Sequence, residues 1–431
     1  MALAHGKVMA MSEGESILQA TELTKYYTTE DGFLDKLLGG ADQVKALDGV
    51  DLEVYKGETL GIVGESGCGK STLGRALLQL ETPTAGTVHY RGEDLTEMSA
   101  GQLKDRRTDL QIIFQNPFSS LNPRFTIADI IGEPLDIHGI ASGERRDERI
   151  SELLEEVGLS RSHADRYPHE FSGGQLQRIG IARALAVDPD LIVCDEPVSA
   201  LDVSVQAQIL NLLTRLQNEH DLSYVFIAHD LSVVEHIADR IGVMYLGELV
   251  EMGTTEEIFA EPSHPYTEAL LSAIPEPDPD WESERVILEG TVPSPIDPPS
   301  GCRFHTRCPR VIQPDAYDFE QSTWRSMMTL RTRLDDEDAT LRSVLSAHKE
   351  ETTEIDPETV PERLRETYDL PNRLIDPEAE RVLAEAIDRL QESDVDGAAS
   401  VLAREFTTPC ESDRPELVAD GHHPIACHLY E

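Results

Sequence analysis

Short apolar runs in the first 230 residues of the chain have the length of buried strands. They cover residues 60–63, residues 191–194 and the stretch YVFIA that ends before His229. A helical pattern follows the first run and places three leucines on one face: Leu73, Leu77 and Leu80. The pattern therefore predicts strands that end where polar or glycine-rich segments begin, and these segments carry the candidate chemistry.

The first run leads into a stretch that fits the phosphate-loop pattern G-x-x-x-x-G-K-[ST]. Strand, glycine-rich loop and helix is the context that this pattern requires, because the glycines let backbone N–H groups surround phosphate oxygens. Lys70 is expected to reach the β- and γ-phosphates of ATP, and Ser71 is expected to bind Mg²⁺. The predicted ATP-binding residues are Gly64, Glu65, Ser66, Gly67, Cys68, Gly69, Lys70, Ser71 and Thr72.

Two carboxylates end the second apolar run. Asp195 is placed to hold Mg²⁺ through water, and Glu196 can act as general base on the attacking water. Carboxylates at this position can also cap the next element, but the phosphate loop upstream favours the catalytic interpretation. Cys68 and Cys194 lie inside these motifs and are predicted to pack rather than to bind metal.

A second glycine-rich motif opens an amphipathic helix, so its N–H groups can also face a phosphate. Its residues are Ser172, Gly173, Gly174 and Gln175. With these motifs in this order, the sequence resembles the ATP-binding subunits of ABC transporters. In that family two such domains pair head to tail, and ATP lies between the phosphate loop of one and this signature motif of the other.

The resemblance implies a fold and further site residues. The fold is an α/β phosphate-loop ATPase with a mixed sheet core, an antiparallel β subdomain and a helical subdomain. Tyr27 resembles the aromatic residue that stacks on adenine, with Tyr26 as a possible substitute. Gln115 resembles the glutamine that touches Mg²⁺ and couples to the membrane subunit, Asp202 the residue that crosses the dimer interface, and His229 the switch histidine that contacts the γ-phosphate.

Longer stretches narrow the resemblance to the ATPase subunits of oligopeptide/dipeptide importers. They include LQIIFQNPFSSLNPRFTI and DEPVSALDVSVQAQILNLL, and SHPYTEALLSAIPEPDP resembles the start of that group's C-terminal extension. The expected organisation is an ATPase domain over 17–262, with a helical subdomain at about 118–185, and an extension over 263–431. An acidic insertion at about 315–405 shows helical apolar spacing at Val382, Ala386 and Leu390. It is either a partner-binding unit or a solvated elaboration.

The resemblance also implies partners. We expect an ATPase that energises solute uptake at the cytoplasmic face of the membrane, on two separate membrane permease subunits. A paralogous ATPase is the expected dimer partner, with a homodimer possible, and an extracellular solute-binding protein takes part indirectly. The sequence contains no stretch of eighteen consecutive apolar residues, so we expect no transmembrane helix. The alternative is a soluble ABC ATPase that acts on a macromolecule without transport.

The charge is strongly acidic, with 81 Asp and Glu residues against 37 Lys and Arg, a net charge of −44. The acidic residues are spread along the whole chain and do not form a tail. This distribution is typical of adaptation to concentrated salt, where counterions screen self-repulsion. It also disfavours direct nucleic-acid binding, because no basic patch offsets the field.

Four cysteines form two widely separated pairs, Cys302 with Cys308 and Cys410 with Cys427. In a reducing cytosol, four cysteines bind metal more often than they form disulfides. The pairs resemble a compact four-cysteine segment of related importers, split by the insertion, and some of those relatives carry a [4Fe–4S] cluster. We favour a cluster over zinc, because zinc sites prefer shorter spacings, and unligated thiols stay an alternative. Further candidate ligands are His305, His422, His423 and His428.

Because the cysteines are remote in sequence from Lys70, substitution of Cys302 is expected to leave ATP binding intact.

Overall fold

The computed structural model describes residues 14–28, 42–274, 286, 288, 290–336, 339–345, 356–419 and 423–430. In these ranges the strands are β1 Ser16–Thr28, β2 Gln43–Tyr55, β3 Thr59–Val63, β4 Ala85–Tyr90, β5 Glu93–Asp94, β6 Leu110–Ile113, β7 Leu191–Asp195, β8 Ser223–Ile227, β9 Arg240–Tyr245 and β10 Glu248–Thr254. They form two sheets with different roles.

The central sheet has six strands in the order β10-β9-β3-β8-β7-β6. Its strand pairs are parallel except for β9 with β10, and β3, β7 and β8 are buried along their whole length. Parallel strands covered on both faces are apolar throughout, which explains the short apolar runs in the sequence. The carboxyl ends of these strands meet at one edge, and the phosphate loop, Asp195 and His229 follow directly from them.

The second sheet is antiparallel, with four strands in the order β2-β1-β4-β5. Its long pair, β1 with β2, places Tyr27 opposite Val44. Leu18, Leu23, Leu47 and Val54 of this pair are fully buried against the face of the central sheet. The sheet therefore carries Tyr27 beside the helix that follows the phosphate loop.

The helices of the first 274 residues surround the central sheet. They are Lys70–Leu77, Ala100–Arg106, Pro117–Ser120, Ile127–His138, Glu144–Glu156, Gly173–Leu185, Val203–His220, Leu231–Glu235, Thr255–Ala260 and Pro265–Ser272. Four of them, from Pro117–Ser120 to Gly173–Leu185, follow β6 and precede β7 in the chain, and they form a helical layer. Among the described helices, none has the length and apolar composition needed to cross a bilayer.

The helix after the phosphate loop is shorter than the leucine spacing predicted. It ends at Leu77, and Leu80 lies beyond it with 42% of its surface exposed, whereas Leu73 and Leu77 are fully buried. Gln79 adopts a positive φ of 51° at this point, which turns the chain out of the helical path. The expectation that Leu80 shares the buried face is wrong.

The C-terminal part folds into a further set of helices: Gln321–Leu334, Leu341–Leu345, Val360–Thr367, Pro377–Gln391, Val395–Glu405 and Pro409–Ser412. Val382, Ala386 and Leu390 are each 1% exposed, as their helical spacing predicts. Trp324 and Phe406 are buried together, with an edge-on ring contact at a centroid distance of 6.2 Å. The described helices of the insertion therefore pack around buried aromatic and aliphatic side chains, which join the hydrophobic cluster of the ATPase part.

Candidate functional site

The phosphate loop connects β3 to the helix Lys70–Leu77 and depends on its glycines. Gly64 has a φ of 151°, and a Cβ at this position would lie 2.1 Å from the carbonyl oxygen of Met244. Lys70, with 4% of its surface exposed, donates from Nζ to the carbonyl oxygens of Gly64 at 2.8 Å and Glu65 at 2.9 Å. The loop thus folds around the ammonium group, which is a geometry suited to binding phosphate.

Ser71 and Asp195 meet below this loop. The Ser71 hydroxyl donates to Oδ1 of Asp195 at 2.7 Å, and the carboxylate is 2% exposed at the end of β7. Burial raises the pKa of Asp195, while the Ser71 hydrogen bond acts in the opposite direction. Hydroxyl and carboxylate oxygens are ligands that Mg²⁺ prefers, so the pair fits a magnesium site.

Two predicted residues from separate strand ends, Gln115 and His229, converge on one carboxylate oxygen of a third, Glu196. Gln115 donates from Nε2 to Oε2 of Glu196 at 2.9 Å, and Nδ1 of His229 lies 3.1 Å from the same oxygen. Glu196 has a φ of 46°, in the left-handed region that non-glycine residues seldom adopt. Such backbone strain is typical of functional sites, and here the strained residue, Glu196, directly follows Asp195 in the chain.

The signature motif begins the helix Gly173–Leu185. Ser172 is its N-cap in a capping box with Gln175, whose Oε1 accepts the Ser172 N–H at 3.1 Å. A Cβ on Gly174 would lie 2.5 Å from Val205, so the glycine permits close contact with the neighbouring helix Val203–His220. Asp202 caps that helix by accepting the Val205 N–H at 3.0 Å, which places the motif and Asp202 on adjacent helix starts.

The two candidate tyrosines point in different directions, as neighbours on a strand must. The Tyr26 hydroxyl donates to Asp48. Tyr27 is hydrogen-bonded with Thr72, which comes directly after the phosphate loop. Burial has the largest effect on the pKa of Tyr27 and raises it. Lys25 lies over the Tyr27 ring at 5.0 Å. Of the two tyrosines, Tyr27 is the one that lies beside the phosphate loop, and its contact with adenine stays a prediction.

The two cysteine pairs come together in the fold. The Cys302 N–H donates to the carbonyl oxygen of Cys410 at 2.8 Å. Burial raises the pKa of the Cys302 thiol, and smaller contributions in the same direction come from the thiols of Cys308, Cys410 and Cys427. Burial likewise raises the pKa of Cys308 to about 12 and that of Cys427 to about 11. The four sulfurs therefore form one group, whereas Cys68 and Cys194 are buried in the ATPase core.

Among the described residues, no three of the four sulfurs all lie within 4.8 Å of one another. Across the described residues, the one set of three His, Cys, Asp or Glu ligand atoms within 4.8 Å of one another is Glu156, Glu219 and His220. Tetrahedral zinc with thiolates at about 2.3 Å would hold its sulfurs about 3.8 Å apart. An iron–sulfur cluster binds each thiolate to a different iron and so separates the sulfurs further.

The candidate histidine ligands have other partners. His305 Nδ1 lies 2.8 Å from the Cys302 carbonyl oxygen, and His428 Nε2 lies 2.8 Å from the Asp413 carbonyl oxygen. His423 is buried against the Glu251 carboxylate, and His422 lies outside the described residues. These contacts indicate structural roles for the three described histidines.

Comparison with known proteins adds to this geometry. Residues 47–199 match the ABC transporter family model, and residues 250–314 match the oligopeptide/dipeptide transporter C-terminal region. The chain is 52% identical to the oligopeptide transport ATP-binding protein AppF of Bacillus subtilis, over 70% of this chain and 92% of that protein. It is 54% identical to the dipeptide transport ATP-binding protein DppF of Escherichia coli, over 70% of this chain and 89% of the relative.

The chain belongs to the oligopeptide/dipeptide ABC transporter family of ATP-binding subunits. This membership confirms the predicted ABC ATPase fold, with its mixed sheet, antiparallel sheet and C-terminal extension. Residues 321–423 match a domain of unknown function (DUF8228). The match overlaps the predicted insertion and contains Cys410.

The residues between Cys302 and Cys308 make contacts that local sequence patterns do not predict. Phe304 is 1% exposed and meets the Tyr245 ring edge-on at 5.3 Å, while Arg307 forms an ion pair with Glu65 of the phosphate loop at 2.6 Å. The cysteine segment therefore contacts the phosphate loop, although the two are far apart in sequence. The available signal was the run RFHTR, two arginines around an aromatic residue in a chain poor in basic residues.

Proposed function

We propose that this chain is the ATP-hydrolysing subunit of an ABC importer that energises uptake of oligopeptides, dipeptides or similar solutes through separate permease subunits. The observation that carries the proposal is the convergence of Gln115 and His229 on Glu196, beside the Ser71–Asp195 pair and the phosphate loop. The family membership supports the same activity, because the matched relatives are oligopeptide and dipeptide transport ATP-binding proteins.

Each residue of this arrangement has a proposed task. Lys70 binds the β- and γ-phosphates, and the Ser71 hydroxyl, Asp195 and Gln115 hold Mg²⁺ directly or through water. The metal, when bound, neutralises charge on the phosphate oxygens. Glu196 accepts a proton from the attacking water, and its hydrogen bond from Gln115 orients the carboxylate.

The second half of the nucleotide site comes from a partner in this proposal. The start of the helix Gly173–Leu185 presents backbone N–H groups that suit a phosphate of ATP bound to the facing subunit. Asp202 lies beside this motif, where a head-to-tail dimer would bring the two chains together. The partner is a paralogous ATPase or a second copy of this chain.

The helical layer offers a surface for the permease. Phe118 and Phe125 follow Gln115 in sequence and are 60% and 39% exposed. Exposed aromatic residues are frequent at protein interfaces, and these lie next to a residue that contacts the catalytic carboxylate. We propose that two permease subunits dock here, which places the chain at the cytoplasmic face of the membrane. An extracellular solute-binding protein then takes part without touching this chain.

Reconstitution tests this function directly. Proteoliposomes that contain the chain, its permease subunits and the binding protein should accumulate a labelled dipeptide or oligopeptide only when ATP is present on the ATPase side. The matched control omits this chain alone. ATP hydrolysis that never drives uptake, together with failure to bind the permease subunits, would favour a soluble ATPase that acts on a macromolecule.

The cysteine group has a separate proposed role. We infer that Cys302, Cys308, Cys410 and Cys427 hold a [4Fe–4S] cluster, with zinc as the alternative metal and unligated thiols as the third possibility. The backbone contact between Cys302 and Cys410, together with the mutual electrostatic influence of the four thiols, supports a shared metal site. A cluster of this kind would tie the two ends of the insertion to each other.

The acidic charge gives a prediction about stability. We propose that the net charge of −44 is an adaptation to concentrated salt. The melting temperature is expected to rise by about 5 °C or more between dilute buffer and molar KCl, because screening relieves repulsion among the carboxylates. A thermal melt over a KCl series measures this rise, and a neutral solute at equal osmolality is the control. A melting temperature independent of KCl would contradict the proposal.

A further inference from the structure

A buried arginine of the cysteine segment reaches the phosphate loop. The Arg307 side chain is 7% exposed and pairs with both carboxylate oxygens of Glu65, from Nη1 at 2.6 Å and from Nη2 at 3.1 Å. This two-point geometry is the strongest that an arginine and a carboxylate can form. The Tyr245 hydroxyl lies 3.4 Å from Nη1 and completes the contacts of this guanidinium edge.

Glu65 is held at three points. Its backbone N–H donates to the Tyr266 hydroxyl at 2.8 Å, its carbonyl oxygen accepts from Lys70 at 2.9 Å, and its carboxylate pairs with Arg307. These contacts fix the conformation of the loop segment that precedes Lys70. They also place a carboxylate within a loop whose ligand is a polyanion, so an unpaired charge there would repel the phosphates.

We propose that Arg307 is a positioning residue that neutralises Glu65 and thereby sets the affinity of the phosphate loop for nucleotide. The proposal rests on the proposed function of this loop as the ATP site. Arg307 touches neither ATP nor Mg²⁺ in this scheme, and it acts through Glu65 alone. Because Arg307 lies between Cys302 and Cys308, the conformation of the cysteine segment and ATP binding are coupled, and such coupling is reciprocal.

The inserted helical domain supports this segment from its other side. Arg325, on the helix Gln321–Leu334, donates to the carbonyl oxygen of Thr306 at 2.5 Å, directly before Arg307. Arg303 anchors the start of the segment through an ion pair with Glu248 at 2.7 Å. The insertion therefore has a proposed task in this chain, which is to hold the cysteine segment against the phosphate loop.

Nucleotide titration of the full chain tests the proposal. Arg307→Met keeps an unbranched, apolar side-chain stem and removes the guanidinium charge, and it is expected to raise the Kd for MgATP about fivefold or more. The double variant Arg307→Met/Glu65→Gln removes the unpaired carboxylate as well. Its Kd is expected to return to within about twofold of the parental value.

The controls separate charge from packing. Arg310→Met removes the nearby ion pair between Arg310 and Glu268, which touches no phosphate-loop residue, and its Kd should equal the parental Kd. A melt without nucleotide shows whether each variant is folded. An unchanged Kd for folded Arg307→Met would overturn the proposal, and so would a double variant as weak as Arg307→Met. A parental chain that binds no ATP would instead defeat the proposed function.

Arg325→Met tests the contribution of the insertion. The variant should raise the Kd in the same direction as Arg307→Met but by a smaller factor, since it loosens the segment without leaving Glu65 unpaired. Combined with Arg307→Met, it should add nothing, because both substitutions act through the same ion pair. Fully additive effects would show that Arg325 does not act through Arg307.

Discussion

Replacement of Glu196 by glutamine is expected to slow ATP hydrolysis by about 10²–10⁴-fold and to leave the Kd for MgATP unchanged. Glutamine has the same shape and can still face Gln115 and His229, but its amide cannot take a proton from water. The Glu196 carboxylate oxygen lies 2.9 Å from Gln115 Nε2 and 3.1 Å from His229 Nδ1. The substitution therefore removes the base with little change in the geometry around it.

The measurement is the steady-state ATPase rate of the assembled transporter, with nucleotide binding measured in parallel. Glu152→Gln is a suitable control, since it makes the same change at a carboxylate that is 62% exposed on the helix Glu144–Glu156. It should hydrolyse ATP at the parental rate. A parental rate for Glu196→Gln would show that another group accepts the proton.

Local pattern was enough to locate the residues of the central site. The phosphate loop, Asp195 and His229 each follow an apolar run, and parallel strands bring their carboxyl ends to one edge. Glu196 and Gln115 belong to the same edge for the same reason. The order of the motifs and the apolar runs before them were therefore sufficient to predict that these residues lie close together in the fold.

Contacts between distant segments were outside the reach of that pattern. The Arg307–Glu65 pair joins residues 242 positions apart, and nothing in local periodicity links them. The end of the first helix at Leu77 was also missed, because Leu80 fits helical spacing. The positive φ of Gln79 instead ends the helix in a turn, which the Leu80 N–H closes by donating to the carbonyl oxygen of Arg75. Cys302 is far from Lys70 in sequence and was expected to be remote from the phosphate loop. In the fold, however, the segment that contains Cys302 lies against this loop.

Protein purified without oxygen is expected to be brown and to contain about four iron atoms per chain, as one [4Fe–4S] centre requires. The four sulfurs are brought together by the backbone contact between Cys302 and Cys410 and by the folded insertion between the pairs. Closing a loop of this length costs little additional entropy, so the insertion is compatible with a shared centre. Iron and acid-labile sulfide analysis, with the visible absorption spectrum, measures the content.

Cys302→Ser should lose most of the iron, because one corner of the cluster would have no thiolate. Cys194→Ala is the matched control, since it also removes a buried sulfur but in β7, away from the group, and it should keep the iron. Colourless protein with one tightly bound zinc would identify zinc as the bound metal instead of the cluster. The absence of both iron and zinc would favour unligated thiols.

The same variant also tests the contact with the ATP site. Arg307 lies between two of the proposed ligands, so a loosened segment should weaken the Glu65 pair. Cys302→Ser is therefore expected to raise the Kd for MgATP, by a factor no larger than that of Arg307→Met, which removes the pair completely. Loss of iron with an unchanged Kd would mean that the segment keeps its place through Phe304 and Arg303 alone. Loss of both together would show that the cysteine centre holds the segment in the position that the phosphate loop needs.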